Sequence, residues 1–263
     1  MTYRFIRDSR FLVAPPSMTK LGYKFIGNPA MEQGQYEEDE VEVVKRYLNH
    51  IDIFINVGAN IGYYCCIALN LGKHTIAFEP IDLNLAYMYR NIMANGWQDN
   101  VEIYPIALGS SCGLVNIFGS GHGASLIRGA GNISENSKRV VPIATLDTVL
   151  SDRLSGKRCF FLVDIEGATK LVLQGAFKHL RLNPKPIWLV EIWINEHQPR
   201  GITLNPDLLA TFDIFWRNGY RSWRADKSGV EITRRDVTNI CEKGVVTFPT
   251  RNFLFIHESQ NVL

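Results

Sequence analysis

Two hydrophobic rhythms alternate along this chain. Short, largely apolar runs lie at 53–57, 74–78, 101–105, 159–163 and 187–192, and between them apolar residues recur three or four positions apart. Runs of that length read as strands of a sheet covered on both faces, and the spaced segments read as amphipathic helices. The helical pattern covers about 35–49, the stretch after Gly62, 82–95, 145–154, 168–180 and 206–218. This alternation predicts an α/β fold, a doubly wound, mostly parallel, Rossmann-like sheet. Further strands are expected at 220–223 and 253–257, making seven. No long helix is expected between those two, so they should form an antiparallel hairpin at one edge.

Local signals sharpen some boundaries. Glu37, Glu38, Asp39 and Glu40 load a helix start, where anions favour the macrodipole, and Val41, Val44, Tyr47 and Leu48 follow as its apolar stripe. Most of that acidic run reads as a solvated helix end. Asn95-Gly96 ends a helix, and Thr145 is placed to cap another. Residues 113–127 break into short alternating segments rich in Gly and Ser, and a further strand is expected at 139–143. Residues 1–34 hold Pro15, Pro16 and Pro29 and show no sustained period. They read as an arm on the main domain, with a hairpin across 19–26, and residues 35–263 as a single domain without repeat or linker.

Composition excludes several classes. A formal net charge of +2 gives no strong field for nucleic acid or a membrane surface. With 46% hydrophobic and 21% charged residues, the chain fits a globular protein with a sizeable core. No apolar run has membrane-spanning length, and the first residues lack a signal-peptide pattern. The five cysteines (Cys65, Cys66, Cys112, Cys159, Cys241) are odd in number and lack CxxC spacing, which suggests neither a disulfide framework nor a zinc cluster. A cytoplasmic location is the expectation.

Candidate chemistry starts where the first long strand breaks. The run 53–57 leads into Gly58-Ala59-Asn60-Ile61-Gly62, then a helix, then a strand ending at Glu79-Pro80. Strand, glycine turn, helix, strand and acid form half of a nucleotide-binding unit: the glycines permit tight turning, the turn leads into helix N–H groups, and the carboxylate can accept ribose hydroxyls. A dinucleotide fingerprint needs a second glycine where Asn60 stands, because a side chain there obstructs a pyrophosphate pressed to the backbone. S-adenosylmethionine has no phosphate and tolerates that side chain, so it is the expected cofactor and an NAD-dependent oxidoreductase the disfavoured alternative.

The segment Phe54-Ile55-Asn56-Val57-Gly58-Ala59-Asn60-Ile61-Gly62-Tyr63-Tyr64, with Phe78-Glu79-Pro80, Thr145-Leu146-Asp147, Val163-Asp164-Ile165-Glu166-Gly167-Ala168 and Gly175-Ala176, resembles the FkbM family of methyltransferases. The resemblance covers roughly 35–191 and, more loosely, 219–220 and 252–255. It implies a class I S-adenosylmethionine-dependent methyltransferase acting mostly on hydroxyl groups of natural products, sugars or glycans, with amide nitrogen as the lesser case. The chain departs from the family pattern at Asn56, where Asp is usual, at Leu162, where Lys is common, and at Thr169, where Glu is usual.

Within that frame Glu79 is the expected ribose ligand, with Pro80 beside it. Gly58, Ala59, Asn60 and Gly62 should form the turn against the methionine part, and Asn56 should approach its amine. Ala107 and Leu108 should edge the adenine, and Tyr63, Ser125 and Glu37 are further cofactor candidates. Asp164, at the end of the fourth strand, should face the methyl group and touch the cofactor, and Glu166 lies two residues on. Glu191 ends the fifth strand, and His197 follows as a candidate general base, with His122 a lesser rival. Against each stands a plainer role: helix capping for Glu166, core packing for Tyr63, solvation for His197. Asp164, Glu166 and Glu191 could also offer oxygen ligands to a divalent ion, which the spacing does not require. The expected partner is a small-molecule or glycan acceptor, with neither nucleic acid nor membrane insertion. N-methylation and a binding protein that has lost catalysis stand as alternatives.

Overall fold

The computed structural model describes residues 15–119, 121–132 and 137–260. The first residues of the expected arm, 1–14, lie outside them. What is described of the arm is a small antiparallel pair, β1 (Ser17–Met18) and β2 (Lys24–Phe25), and a short helix α1 (Pro29–Gln33). Asn28 accepts the N–H of Met31 with its side chain, so the helix starts at the proline, where no N–H is needed. Tyr23, Phe25 and Met31 are buried in the same cluster as the helices of the main body.

Helix α2 (Glu38–Leu48) leads into β3 (Ile53–Val57), α3 (Tyr63–Asn70), β4 (His74–Phe78), α4 (Asp82–Met93) and β5 (Val101–Tyr104). After an excursion come α5 (Leu146–Leu150), β9 (Cys159–Val163), α6 (Thr169–Gln174), β10 (Ile187–Glu191), α7 (Leu208–Trp216), β11 (Tyr220–Arg224), β12 (Glu231–Ile232), α8 (Arg234–Lys243) and β13 (Asn252–His257). The excursion holds β6 (Ala107–Leu108), β7 (Gly113–Phe118) and β8 (Lys138–Ala144), which form a three-stranded sheet of their own in the order β6-β8-β7. The main sheet runs β12-β11-β13-β10-β9-β3-β4-β5. From β10 to β5 its neighbours are parallel, and β13 pairs antiparallel with both β10 and β11.

Two expectations are corrected. The main sheet has eight strands rather than seven, because β12 adds an antiparallel edge to β11. The pair β11 and β13 is not joined by a simple hairpin, because α8 lies between them. That helix carries its own start signal: Thr233 accepts the N–H of Asp236, whose carboxylate accepts the N–H of Thr233. At α5, Thr145 does accept the N–H of Thr148 as the sequence suggested.

The sheet divides the core in two. Phe54, Ala77, Phe160 and Leu189 point to one face, against α2, α3 and α4, while Ile55, Phe78, Phe161, Val163 and Trp188 point to the other, against α5, α6, α7 and α8. All five residues of β9 are buried, as expected for a central parallel strand flanked on both sides. Cys65 and Cys66 are packed in the first layer, where burial pushes the Cys65 thiol up to about 12. Among the described residues no helix is long and apolar enough to cross a membrane.

The sheet brings the ends of β3 and β9 into contact through one glycine. Gly58 sits at φ +82°, and a Cβ there would meet the Asp164 carbonyl oxygen at 1.8 Å. Gly58→Ala should therefore cost roughly 2–4 kcal/mol, from left-handed backbone strain and forced separation of the strand ends. A denaturant midpoint unchanged from the parent would contradict that packing.

Candidate active site

Strand order reverses at β3, which pairs with β4 on one side and β9 on the other, and open α/β sheets bind ligands beyond the strand ends at such a point. The turn after β3 is tied to the end of β4. Gly58 N–H and Ala59 N–H both donate to the Phe78 carbonyl at 2.9 Å, and Asn60 N–H donates to Glu79 Oε2 at 2.8 Å. These amides hold the turn and the acid together.

Glu79 is only 4% exposed. Its Oε1 accepts the Ile81 N–H at 2.8 Å and the Asn84 amide at 3.2 Å. Burial pushes its pKa up to about 7, opposed by those N–H donors. Oε2 takes the Asn60 N–H alone among the described hydrogen bonds, so it keeps acceptor capacity for a ligand hydroxyl.

Glu79 lines a cavity together with Gly58, Asn60, Pro80, Ala107, Leu108, Asp164 and Glu166. Eight of the sequence candidates therefore meet around one space. Ile81, Ile117 and Leu126 add apolar walls, the last two brought by the three-stranded excursion. Neither Lys nor Arg occurs among the described residues lining it. Carboxylates without a cation suit a sulfonium ligand and oppose a pyrophosphate, and the apolar wall suits an adenine.

The other candidates stand elsewhere. Ala59 is in the core, and Gly62 begins α3 with Met88 so close that a Cβ would lie 2.7 Å from it. Asn56 is buried in β3 with its amide 3.5 Å from Cys65 Sγ. Tyr63 packs edge-on against Phe25, Tyr36 and Tyr64. Ser125 supports the site from behind, donating to the Glu166 carbonyl at 2.6 Å and accepting the Ile127 N–H at 2.9 Å. His197 lies 5.1 Å from the Trp193 ring and lines neither the cavity nor the chamber beside it. The side chain of His122 falls outside the described residues.

Glu37 and Glu191 line that chamber, which shares Asp164 with the cavity. Glu191 is 6% exposed, and its Oε1 pairs with Arg251 Nε at 2.5 Å. Asp164 is held well above the usual carboxylate range by burial and then by the Glu191 carboxylate beside it. Glu166 is pushed up to about 7 by burial and then by Asp164, and burial also raises Glu191 and Glu37. Leu162, at the position where the resembling family commonly has lysine, lines the chamber and brings no charge to it. Among the described residues no group of three or more His, Cys, Asp or Glu is arranged to hold a metal ion.

Sequence reasoning missed Asn84 and Arg251, and it read Glu40, another chamber residue, as part of a solvated helix start. Asn84 is an unremarked residue of α4, and Arg251 is one cation among many, so neither carries a local signal. Their roles come from strands and helices distant in sequence.

A Rossmann-like sheet with a cavity at its reversal point whose described lining has neither Lys nor Arg, an acid at the end of β4 and carboxylates at the end of β9 fits an S-adenosylmethionine-dependent methyltransferase fold. Residues 56–222 match the Methyltransferase FkbM domain, and the chain belongs to that family. S-adenosylmethionine is its cofactor. No curated protein matches the sequence. Among solved structures, the chain is similar to a methyltransferase FkbM from Methylobacillus flagellatus at 16% identity and TM-score 0.48, covering 88% of this chain and 56% of that one. It is also similar to a precorrin-6y methyltransferase from Geobacter metallireducens, with 11% identity, TM-score 0.43 and coverage of 88% and 90%. A SAM-dependent methyltransferase from Agrobacterium tumefaciens shows 9% identity, TM-score 0.43 and coverage of 85% and 62%. The chain thus spans little more than half the length of the first of these. All three TM-scores are below 0.5, so membership rests on the matched segment.

If Glu79 holds the ribose, Glu79→Ala should weaken S-adenosylmethionine binding by roughly tenfold or more, since a hydrogen bond to a charged group contributes about 1.5–3 kcal/mol. Calorimetry on the folded variant measures this, and unchanged affinity would remove the assignment.

Proposed function

We propose that this protein transfers a methyl group from S-adenosylmethionine to a hydroxyl of a small molecule, sugar or glycan. The observation that supports it is the pair Asp164 and Glu166 at the end of β9, lining the same cavity as Glu79. The cofactor supplies an activated methyl carbon. An alcohol is a weak nucleophile and must lose its proton as its oxygen bonds that carbon, so a proton acceptor within reach is required. Glu166, raised to about 7, is ionised above neutrality and basic enough to take a proton. Asp164 and Glu191 share a burial that favours one proton between them, which Arg251 biases by holding Glu191 ionised. Asp164 thus serves to orient the acceptor hydroxyl and Glu166 to receive its proton.

In this reading Glu79 holds the ribose, with Ala107, Leu108 and Pro80 against the adenosine. Gly58 and Asn60 border the methionine part. Asn56, Ala59, Gly62, Tyr63 and Ser125 shape the site from behind, and His197 has no part in it.

N-methylation is the second reading, because the chamber around Glu37, Glu40 and Glu191 is acidic enough to attract an amine. Transfer of a carbon-13 methyl from the cofactor into an extract of the source organism, followed by NMR of the labelled product, separates methyl on oxygen from methyl on nitrogen. With the acceptor in hand, kcat/KM should rise with pH through an apparent pKa near 7 and level off above it, because the ionised cluster is the active form. Burial raises this value most and the Asp164 carboxylate next, while Arg251 opposes them and Glu37 adds to them. Glu166→Gln should abolish the rise and lower turnover roughly 10²–10⁴-fold. A variant with the parental profile would exclude Glu166 as the base.

A further inference from the structure

The hydrogen bonds already made by Glu79 leave it room for only part of a ribose. Its Oε1 accepts the Ile81 N–H at 2.8 Å and the Asn84 side-chain amide at 3.2 Å, which fills both lone pairs. Oε2 accepts the Asn60 N–H at 2.8 Å, which leaves one. A ribose presents two neighbouring hydroxyls. Pairing both requires a second hydrogen-bond acceptor beside Glu79.

Asn84 stands at that place. It lies in the first turn of α4, is only 4% exposed and lines the same cavity. The orientation of its amide is fixed by what surrounds it. Nδ2 faces Glu79 Oε1 at 3.2 Å and the Gly121 carbonyl at 3.4 Å, two acceptors that would repel an oxygen. Oδ1 therefore points the other way. Among the described residues it accepts no hydrogen bond, and it is not sealed in the interior as Asn56 Oδ1 is. A buried asparagine whose nitrogen is doubly engaged and whose oxygen opens on a cavity can still take a ligand, and only one that donates.

The chemistry of that donor follows from the geometry. Oδ1 shares a carbon with a nitrogen 3.2 Å from Glu79, so the free oxygens of the two side chains serve adjacent groups of one ligand. Two neighbouring hydroxyls supply one donor to each. A phosphate brings acceptors and repels both.

We infer that Asn84 is a second ribose ligand, with Glu79 Oε2 accepting one hydroxyl of the cofactor's ribose and Asn84 Oδ1 the other. The inference rests on the methyl-transfer reading above and adds to it the residue that reads the second hydroxyl. The adenine amine is the other donor the cofactor offers to such an oxygen, and the test separates the two.

Calorimetry on the full chain compares S-adenosylhomocysteine with two analogues that each lack one ribose hydroxyl and a third that lacks the adenine amine. Each missing hydroxyl should cost the parent roughly fivefold or more in affinity. In Asn84→Ala one of those penalties should shrink to less than about twofold while the other persists. Asn84→Asp keeps an oxygen where Oδ1 stands, and a proton shared with Glu79 replaces the lost amide donor, so both penalties should remain. Both penalties unchanged in Asn84→Ala would overturn the inference. So would their loss in both variants alike, since Asn84 would then act only by donating to Glu79. A penalty for the missing amine that vanishes in Asn84→Ala, with both hydroxyl penalties kept, would assign Asn84 to the base and overturn it as well. The methyl-transfer reading survives each of these results, whereas failure of S-adenosylhomocysteine to bind the parent would overturn that reading and the inference together. A crystal structure of the parent with S-adenosylhomocysteine needs no folded variant. Asn84 Oδ1 within about 3.2 Å of a ribose hydroxyl is the expected result, and a separation beyond about 3.5 Å would overturn the assignment.

Discussion

The end of β3 lies against the end of β9 with no room for a side chain between them, and the site depends on that contact. The Asp164 N–H donates to the Val57 carbonyl at 3.0 Å, so the two strands stay paired to their last residues. Gly58 then turns away beneath the Asp164 carbonyl. The same turn sends two N–H groups to Phe78 and a third to Glu79. Three strand ends are thereby fixed to one another, and Glu79 and Asp164 come to line one cavity.

Holding several carboxyl groups in so small a volume sets the electrostatics. Burial alone would raise each pKa, and proximity raises them further because neighbouring carboxylates resist being ionised together. Arg251, from the turn before β13, opposes this by pairing with Glu191. The Tyr64 hydroxyl stabilises the charge on Glu37, and N–H donors do the same for Glu79. The cluster that results can exchange protons near neutrality, which an exposed Asp or Glu cannot do.

The parts of the fold that departed from expectation share a cause. β12 is two residues long, and its pairing with β11 is a tertiary contact that no local periodicity announces. Residues 113–127 read as short broken segments because β7 is short and partly exposed, with Leu114 facing outward, whereas β8 falls where a strand was expected. Even so, the segment carries Ile117 and Leu126 to the cavity. His197 looked like a base because of its place after the fifth strand, but its ring packs beside Trp193.

The sequence by itself determined the layered α/β order, the glycine turn, the acid at the end of β4 and the carboxylates at the ends of β9 and β10. Each of these follows from short-range rules: apolar runs long enough for one buried strand, glycine where φ is positive, and acids at strand ends. Family membership was legible for the same reason, since its motifs are contiguous in the chain. Only the tertiary structure decided that Asp164 stands between two spaces, that Glu40 faces inward, and that Arg251 neutralises Glu191. Those relations join residues far apart along the chain, and burial, which gives them their energy, exists only once the layers have packed.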